Sequence, residues 1–177
     1  GWQLAAKGTY ELMNWQRPDG VIASPVPSLN WCKELPLQML ASVGWYGFYT
    51  QAFYSDDYSF VPHIYDGLKK YLHEVWQVDG QGMPVVRPGD WSWGDWGTDV
   101  DMEVLTTCWY YLALKAEKEF ALHLRKLYDA NQIGEMMKRI SAAFDARYWN
   151  GKAYRSKLHN GETDDPAQAM AIGSGLA

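Results

Sequence analysis

No stretch of this sequence approaches the roughly 20 consecutive apolar residues of a membrane-crossing helix. Basic residues are not in excess: 16 Lys and Arg stand against 21 Asp and Glu, a formal net charge of −5. That balance excludes the basic stripe that neutralises nucleic-acid phosphates, so no nucleic-acid partner is expected. Cysteine is scarce. Cys32 and Cys108 make neither a disulfide framework nor a zinc set, and they leave the compartment open. His63, His73, His123 and His159 are scattered without metal spacing, so neither a metal nor a cofactor is expected. No signal-peptide pattern opens the chain, although one removed upstream of Gly1 is compatible with that start.

What the sequence has is aromatic. Ten Trp and 12 Tyr bring the aromatic share to 15% of 177 residues. Three of the tryptophans fall in "RPGDWSWGDWG", residues 87–97, beside two aspartates, three glycines and a proline. Gly and Pro suit a loop because they set unusual backbone angles. Trp does not, because a large ring is costly to leave in water. Tryptophans in such a loop suit a sugar subsite, where the C–H face of a pyranose stacks on a ring and the polar edge stays available.

Apolar spacing divides the chain into helices. Trp2–Gln16 carries Leu4, Leu12 and Trp15 on one side and ends at Arg17-Pro18-Asp19-Gly20. Residues 21–35 hold Pro25 and Pro27 and read as a long loop. Pro36 then opens a helix to about residue 55, apolar nearly all round and expected to be buried on most sides. Asp56-Asp57 breaks it and caps the next helix, about 58–76. There Val61, Ile64, Leu68, Tyr71, Leu72 and Val75 form a stripe, and Asp66, Lys69, Lys70 and Glu74 face away.

A second long loop runs over 78–97. A helix is expected from Thr98, as N-cap, to about Tyr128, with Glu117 and Lys118 on a solvated face. Asp129-Ala130-Asn131 is expected to break it. A further amphipathic helix, about 132–148, places Ile133, Met136, Met137, Ile140 and Phe144 in register. Asn150-Gly151 marks a small hairpin. Asp164 or Asp165 then starts a last helix, with Pro166 in its first turn.

The unit of long loop, buried helix, short turn and amphipathic helix recurs about every 60 residues. It predicts an all-α array of αα-hairpins, with inner helices on one side and outer helices covering them. Each long loop enters an inner helix, so Asp19, Trp31, Asp90, Trp91, Trp93, Asp95, Trp96, Asp99, Asp164 and Asp165 are expected to gather at one rim. An apolar helix runs to the last residue, which predicts that residues 1–177 are a single segment of a longer domain, truncated at both ends. The large apolar faces of such a half ring predict self-association.

The order of "QRPDGVIASPVP", "RPGDWSWGDWG", "TTCWYYLALKAEKE", "ISAAFDARYWNGKAY" and "DDPAQAMAIGSGL" resembles the six-hairpin catalytic domain of bacterial α-L-rhamnosidases, glycoside hydrolase family 78. The resemblance implies an (α/α)6 toroid, here an incomplete barrel of about three hairpins. It also implies the central part of an inverting glycosidase that removes terminal α-L-rhamnose or a related sugar, with carbohydrate as partner and a periplasmic or secreted location. Trp31 and the tryptophan of a GDW triplet, Trp91 or Trp96, look like the family's sugar-subsite residues, and Trp93, Asp95 and Asp19 accompany them. The family's general acid lies in an upstream stretch of the type RDERLGWTGDA and its base lies downstream. Neither is in this chain.

Glycoside hydrolysis by inversion needs two carboxylates roughly 6.5–9.5 Å apart, one to protonate the leaving oxygen and one to activate water. Asp95, Asp90 and Asp99 are the local candidates. Against that role, aspartates after glycine cap turns, and aspartates at a helix start stabilise its dipole. Two other readings stay open: a non-catalytic helical module that binds carbohydrate or a partner, and another toroid hydrolase such as an unsaturated glucuronyl hydrolase. The latter would need a cation for its uronate, for which Arg87, Arg17 and Lys33 are the candidates, while Glu34 lies where it could reach the cleft.

Overall fold

A computed structural model describes residues 1–27, 32–92, 94 and 99–177. Helix α1 spans Trp2–Asn14. Pro36 then sits at the first turn of α2, Pro36–Val43, where its missing N–H costs no hydrogen bond and its fixed φ suits the helix. Leu37, Met39, Leu40 and Val43 point into the core.

At Gly44 the chain leaves α-helical geometry (φ −91°, ψ −149°), and Trp45–Tyr49 forms a π-helical turn before α3, Thr50–Ser55. Two glycines allow this. A Cβ on Gly44 would stand 2.5 Å from the Leu40 carbonyl and 3.0 Å from the Ala113 Cα, and one on Gly47 would overlap the Ser42 carbonyl. The single buried helix expected over 36–55 is therefore interrupted, and its far end is not buried. Tyr46, Phe53 and Tyr54 are exposed, the last at 69%.

Helix α4, Val61–Lys70, also runs into a π-helical turn, Tyr71–Val75. Its expected stripe of Val61, Ile64, Leu68, Tyr71, Leu72 and Val75 is buried throughout. Asp57 accepts from the Ser59 N–H in a local turn, while Phe60 precedes α4 without a side-chain cap, so Asp57 does not cap that helix.

Helix α5 runs from Met102 to His123, with Asp101 at its N-cap accepting the Val104 N–H. The expected cap, Thr98, lies outside the described residues. The break after α5 comes earlier than the turn-like residues suggested. Arg125 adopts a left-handed φ of 57°, and the Lys126 N–H closes back on the Ala121 carbonyl. Helix α6 then covers Leu127–Tyr148, so Asp129 lies within its first turn. There it accepts from Lys69 and from the Tyr65 hydroxyl on α4, partners that hold it in a helix despite its turn preference. The hairpin at Asn150-Gly151 forms as an antiparallel bridge between Trp149 and Tyr154, with Gly151 at φ 92°. Helix α7 spans Asp165–Ser174.

The inner helices pack in order, with α2 and its π turn against one side of α5 and α7 against the other. Helix α4 packs on α5 and on α1, and α6 lies along α5. Two complete hairpins, α2–α3 with α4 and α5 with α6, thus stand between the outer helix α1 and the inner helix α7. One apolar cluster joins them, from Leu40, Phe48 and Leu68 through Tyr110 and Phe120 to Phe144 and Ala171. Inside it, Glu117 is wholly buried, not solvated. Both of its carboxylate oxygens lie 2.8–2.9 Å from His73 Nε2 on the second π turn.

Candidate functional site

The loop of residues 78–92 is held by the start of α2, the inner helix of the preceding hairpin. Arg87 donates through two nitrogens to Glu34 Oε1 and through a third to the Val75 carbonyl at 2.9 Å. Asp90 accepts the Glu34 N–H at 2.7 Å and lies 3.3 Å from Lys33 Nζ. The Asp90 N–H in turn donates to the Glu34 carbonyl at 2.7 Å. Gly89, at φ 57°, permits the approach, because a Cβ there would stand 2.5 Å from both the Glu34 carbonyl and Pro36 Cδ.

This latch carries the chain to Gly94, which borders a cleft of about 440 Å³ between α2 and α5. Its walls are Leu37, Gln38, Ala41 and Ser42 of α2, Tyr46 and Gly47 of the π turn, and Trp109 of α5. Trp109 and Tyr46 meet edge to face, with ring centres 5.9 Å apart. Gln38 Oε1 is buried without a hydrogen-bond partner among the described residues. An orphan of that kind costs about 1–3 kcal/mol.

A second cleft, of about 450 Å³, lies between the start of α5 and the loop 156–161. Asp99 accepts the Glu162 N–H at 2.8 Å and pairs with His159 at 3.3 Å. Asp101 accepts the Ser156 N–H at 2.6 Å, and its own N–H donates to Asp164 at 2.9 Å. Asp164 stands at the N-cap position of α7, but its carboxylate reaches across to α5 instead of closing its own first turn. The loops before α5 and α7 are thereby joined.

Trp31, Trp93, Asp95 and Trp96 lie outside the described residues. Trp91 is 39% exposed beside the latch. Asp19 is in a different setting, accepting from Arg17 at 2.5 Å and from the Val21 N–H at 3.1 Å. The structure thus joins 33–36 to 87–90 and 99–101 to 156–164, while the bonds of Asp19 stay within its own turn.

The electrostatics follow these partners. The Glu34 N–H, and after it Lys33, outweigh partial burial and hold Asp90 below the usual carboxylate range. The Val21 N–H, with Arg17, does the same for Asp19. Both stay ionised, which suits a loop anchor and not a proton donor. Burial pushes Asp164 up, and the Asp101 charge adds to that, against the Asp101 N–H. Burial also drives the Cys108 thiol up to about 12, which leaves it inert. Each proposed cation for a uronate is already paired: Arg87 with Glu34, Arg17 with Asp19 and Lys33 with Asp90.

Gln38 and Trp109 were not singled out from the sequence. Both sit in apolar helical runs, where spacing alone assigns them to packing. The available signal was Gln38 itself, the lone polar residue of "PLQML".

Comparison with known proteins bears on this arrangement. No curated protein matches the chain. Among solved structures, the alpha-L-rhamnosidase from Dictyoglumus thermophilum superposes with a TM-score of 0.75 at 21% identity, over 97% of this chain and 20% of that one. The chain therefore shares its fold and spans a fifth of its length. The model of the bacterial alpha-L-rhamnosidase 6 hairpin glycosidase domain matches residues 3–177, and the chain belongs to that family.

Proposed function

We propose that the chain is the central part of a glycoside hydrolase that releases terminal α-L-rhamnose, or a closely related neutral sugar, from glycans. In this reading the segment supplies the aromatic wall of the sugar subsite: Trp91 with Trp31, Trp93 and Trp96, accompanied by Asp95 and Asp19. The observation that carries the reading is the latch. Arg87, Gly89 and Asp90 fasten the tryptophan-bearing loop to the head of α2, and the loop reaches Gly94 on an aromatic cleft of sugar size.

The reaction is an inverting hydrolysis. One carboxylic acid gives its proton to the glycosidic oxygen as the C–O bond breaks, and a second carboxylate takes a proton from the water that attacks the anomeric carbon. Asp90 is unsuited to the acid role because its partners hold it ionised, and Asp99 is engaged by Glu162 and His159. Of the local candidates Asp95 remains, and the reading otherwise assigns the acid and base to parts of the protein flanking this chain.

Proton NMR of a chromogenic α-L-rhamnoside incubated with the intact protein tests this. The expected first product is β-L-rhamnose. A first-formed α product would overturn inversion, and absence of turnover with α-L-rhamnosides alongside turnover of an unsaturated uronide would overturn the sugar assignment.

A further inference from the structure

The cleft beneath the tryptophan loop holds a polar group that the fold does not use. Gln38 projects from the first turn of α2 into the wall that Ala41 and Ser42 continue. Its Oε1 is closed off from solvent and lacks a partner among the described residues. The polar groups that hold the neighbouring loop are satisfied, by contrast: Glu34 by Arg87, and Asp90 by Lys33 and the Glu34 N–H. An apolar side chain of similar volume would fill this position without an unpaired carbonyl, so packing does not account for the amide.

The same cleft presents Trp109, half-buried and braced edge-on by Tyr46. A ring face beside an unpaired carboxamide matches the two aspects of a pyranose, its C–H face and its hydroxyl edge. A carboxamide both donates and accepts, as a hydroxyl does. The residues lining the cleft carry no charge, so it offers nothing to a carboxylate.

We propose that Gln38 is a substrate-positioning residue, whose carboxamide hydrogen-bonds a hydroxyl of a neutral sugar stacked on Trp109 in the cleft between α2 and α5. The proposal rests on the sugar-subsite reading above.

Calorimetric titration of the chain with L-rhamnose, with glucuronate as control, tests it alongside thermal melts. The wild-type chain is expected to bind rhamnose saturably and to ignore glucuronate. Gln38→Leu is expected to melt at the same or a higher temperature and yet bind rhamnose about five- to tenfold more weakly, the effect of one neutral hydrogen bond. A purely structural glutamine would not separate affinity from stability in that way. Should Gln38→Leu melt lower, Gln38→Met, which keeps the unbranched length, makes the same comparison. Wild-type affinity in a folded Gln38 variant would overturn the role of Gln38 and leave the subsite reading standing. No rhamnose binding by the wild-type chain, or a preference for glucuronate, would overturn the subsite reading and this proposal with it.

Discussion

Asp90 and Asp164 are both aspartates of the rim loops, and their surroundings push them in opposite directions. Asp90 is held below its ordinary value by the Glu34 N–H and Lys33. A depressed carboxylate contributes stability above its unfolded value, about pH 4, and loses it as pH falls through the folded value. The loop anchor is therefore expected to loosen under acid before the core melts. Trp91 should report this as a red shift in emission that Trp91→Phe abolishes. A loop environment unchanged down to global unfolding would count against the anchor.

Asp164 is raised by burial and by Asp101, so the sign reverses. Its contribution is unfavourable at neutral pH and recovers as pH falls through the folded value. Asp164→Asn keeps an acceptor for the Asp101 N–H and removes the charge. It is expected to raise the melting temperature at pH 7, with the gain shrinking toward about pH 4. A lower melting temperature at pH 7 would show that the carboxylate is needed ionised. Inside the core, His73→Leu would strand the buried Glu117 charge. Urea denaturation should show a loss of about 3–5 kcal/mol, and Glu117→Gln, which leaves no stranded charge, should lose less. Glu117 was legible in principle, since it lies four residues after buried Ala113 and three before buried Phe120. Its charge led to a surface assignment that its spacing contradicted.

At the scale of the element, the helices were legible because their apolar residues recur at helical spacing, as the stripe of α4 shows. The two π turns were not. A π turn inserts an extra residue without breaking the helical run, so the spacing drifts instead of stopping. Gly44 and Gly47 were visible as letters, but nothing in one sequence says that a backbone passes within reach of a missing Cβ. Gly47→Ala is expected to destabilise by about 3–5 kcal/mol on chemical denaturation, since the new methyl would overlap the Ser42 carbonyl. A loss below about 1 kcal/mol would mean that the π turn relaxes to α geometry at little cost. Arg125 taught the opposite lesson. A left-handed turn was made by a residue that does not advertise one, and Asp129-Ala130-Asn131, which does, stayed helical.

For the whole molecule, alternation of loop-led inner helices with amphipathic outer ones was enough to read a hairpin array. The site was legible only by its composition. Residues 87–97 stood out because tryptophans are expensive in a loop, whereas the latch that positions them joins partners more than 50 residues apart in sequence. Phe53, Tyr54 and Ile172 leave apolar surface open, at 60%, 69% and 72% exposure. The isolated chain is expected to self-associate, with light scattering showing mass that rises with concentration and falls in a Phe53→Ser, Tyr54→Ser variant. A strict monomer across concentration would exclude association through that face.

The latch has a consequence for how such a domain can change over evolutionary time. The loop that leads into α5 is fastened not by α5 but by the start of α2 in the hairpin before it, and the loop leading into α7 is tied to the head of α5 in the same manner. Each hairpin thus finishes its predecessor's rim. A single hairpin exchanged between relatives would arrive with a loop whose moorings stayed behind, so the heritable module is the adjacent pair. Recombinants with crossovers at the turns between outer and inner helices should lose sugar recognition at the seam while keeping their helices.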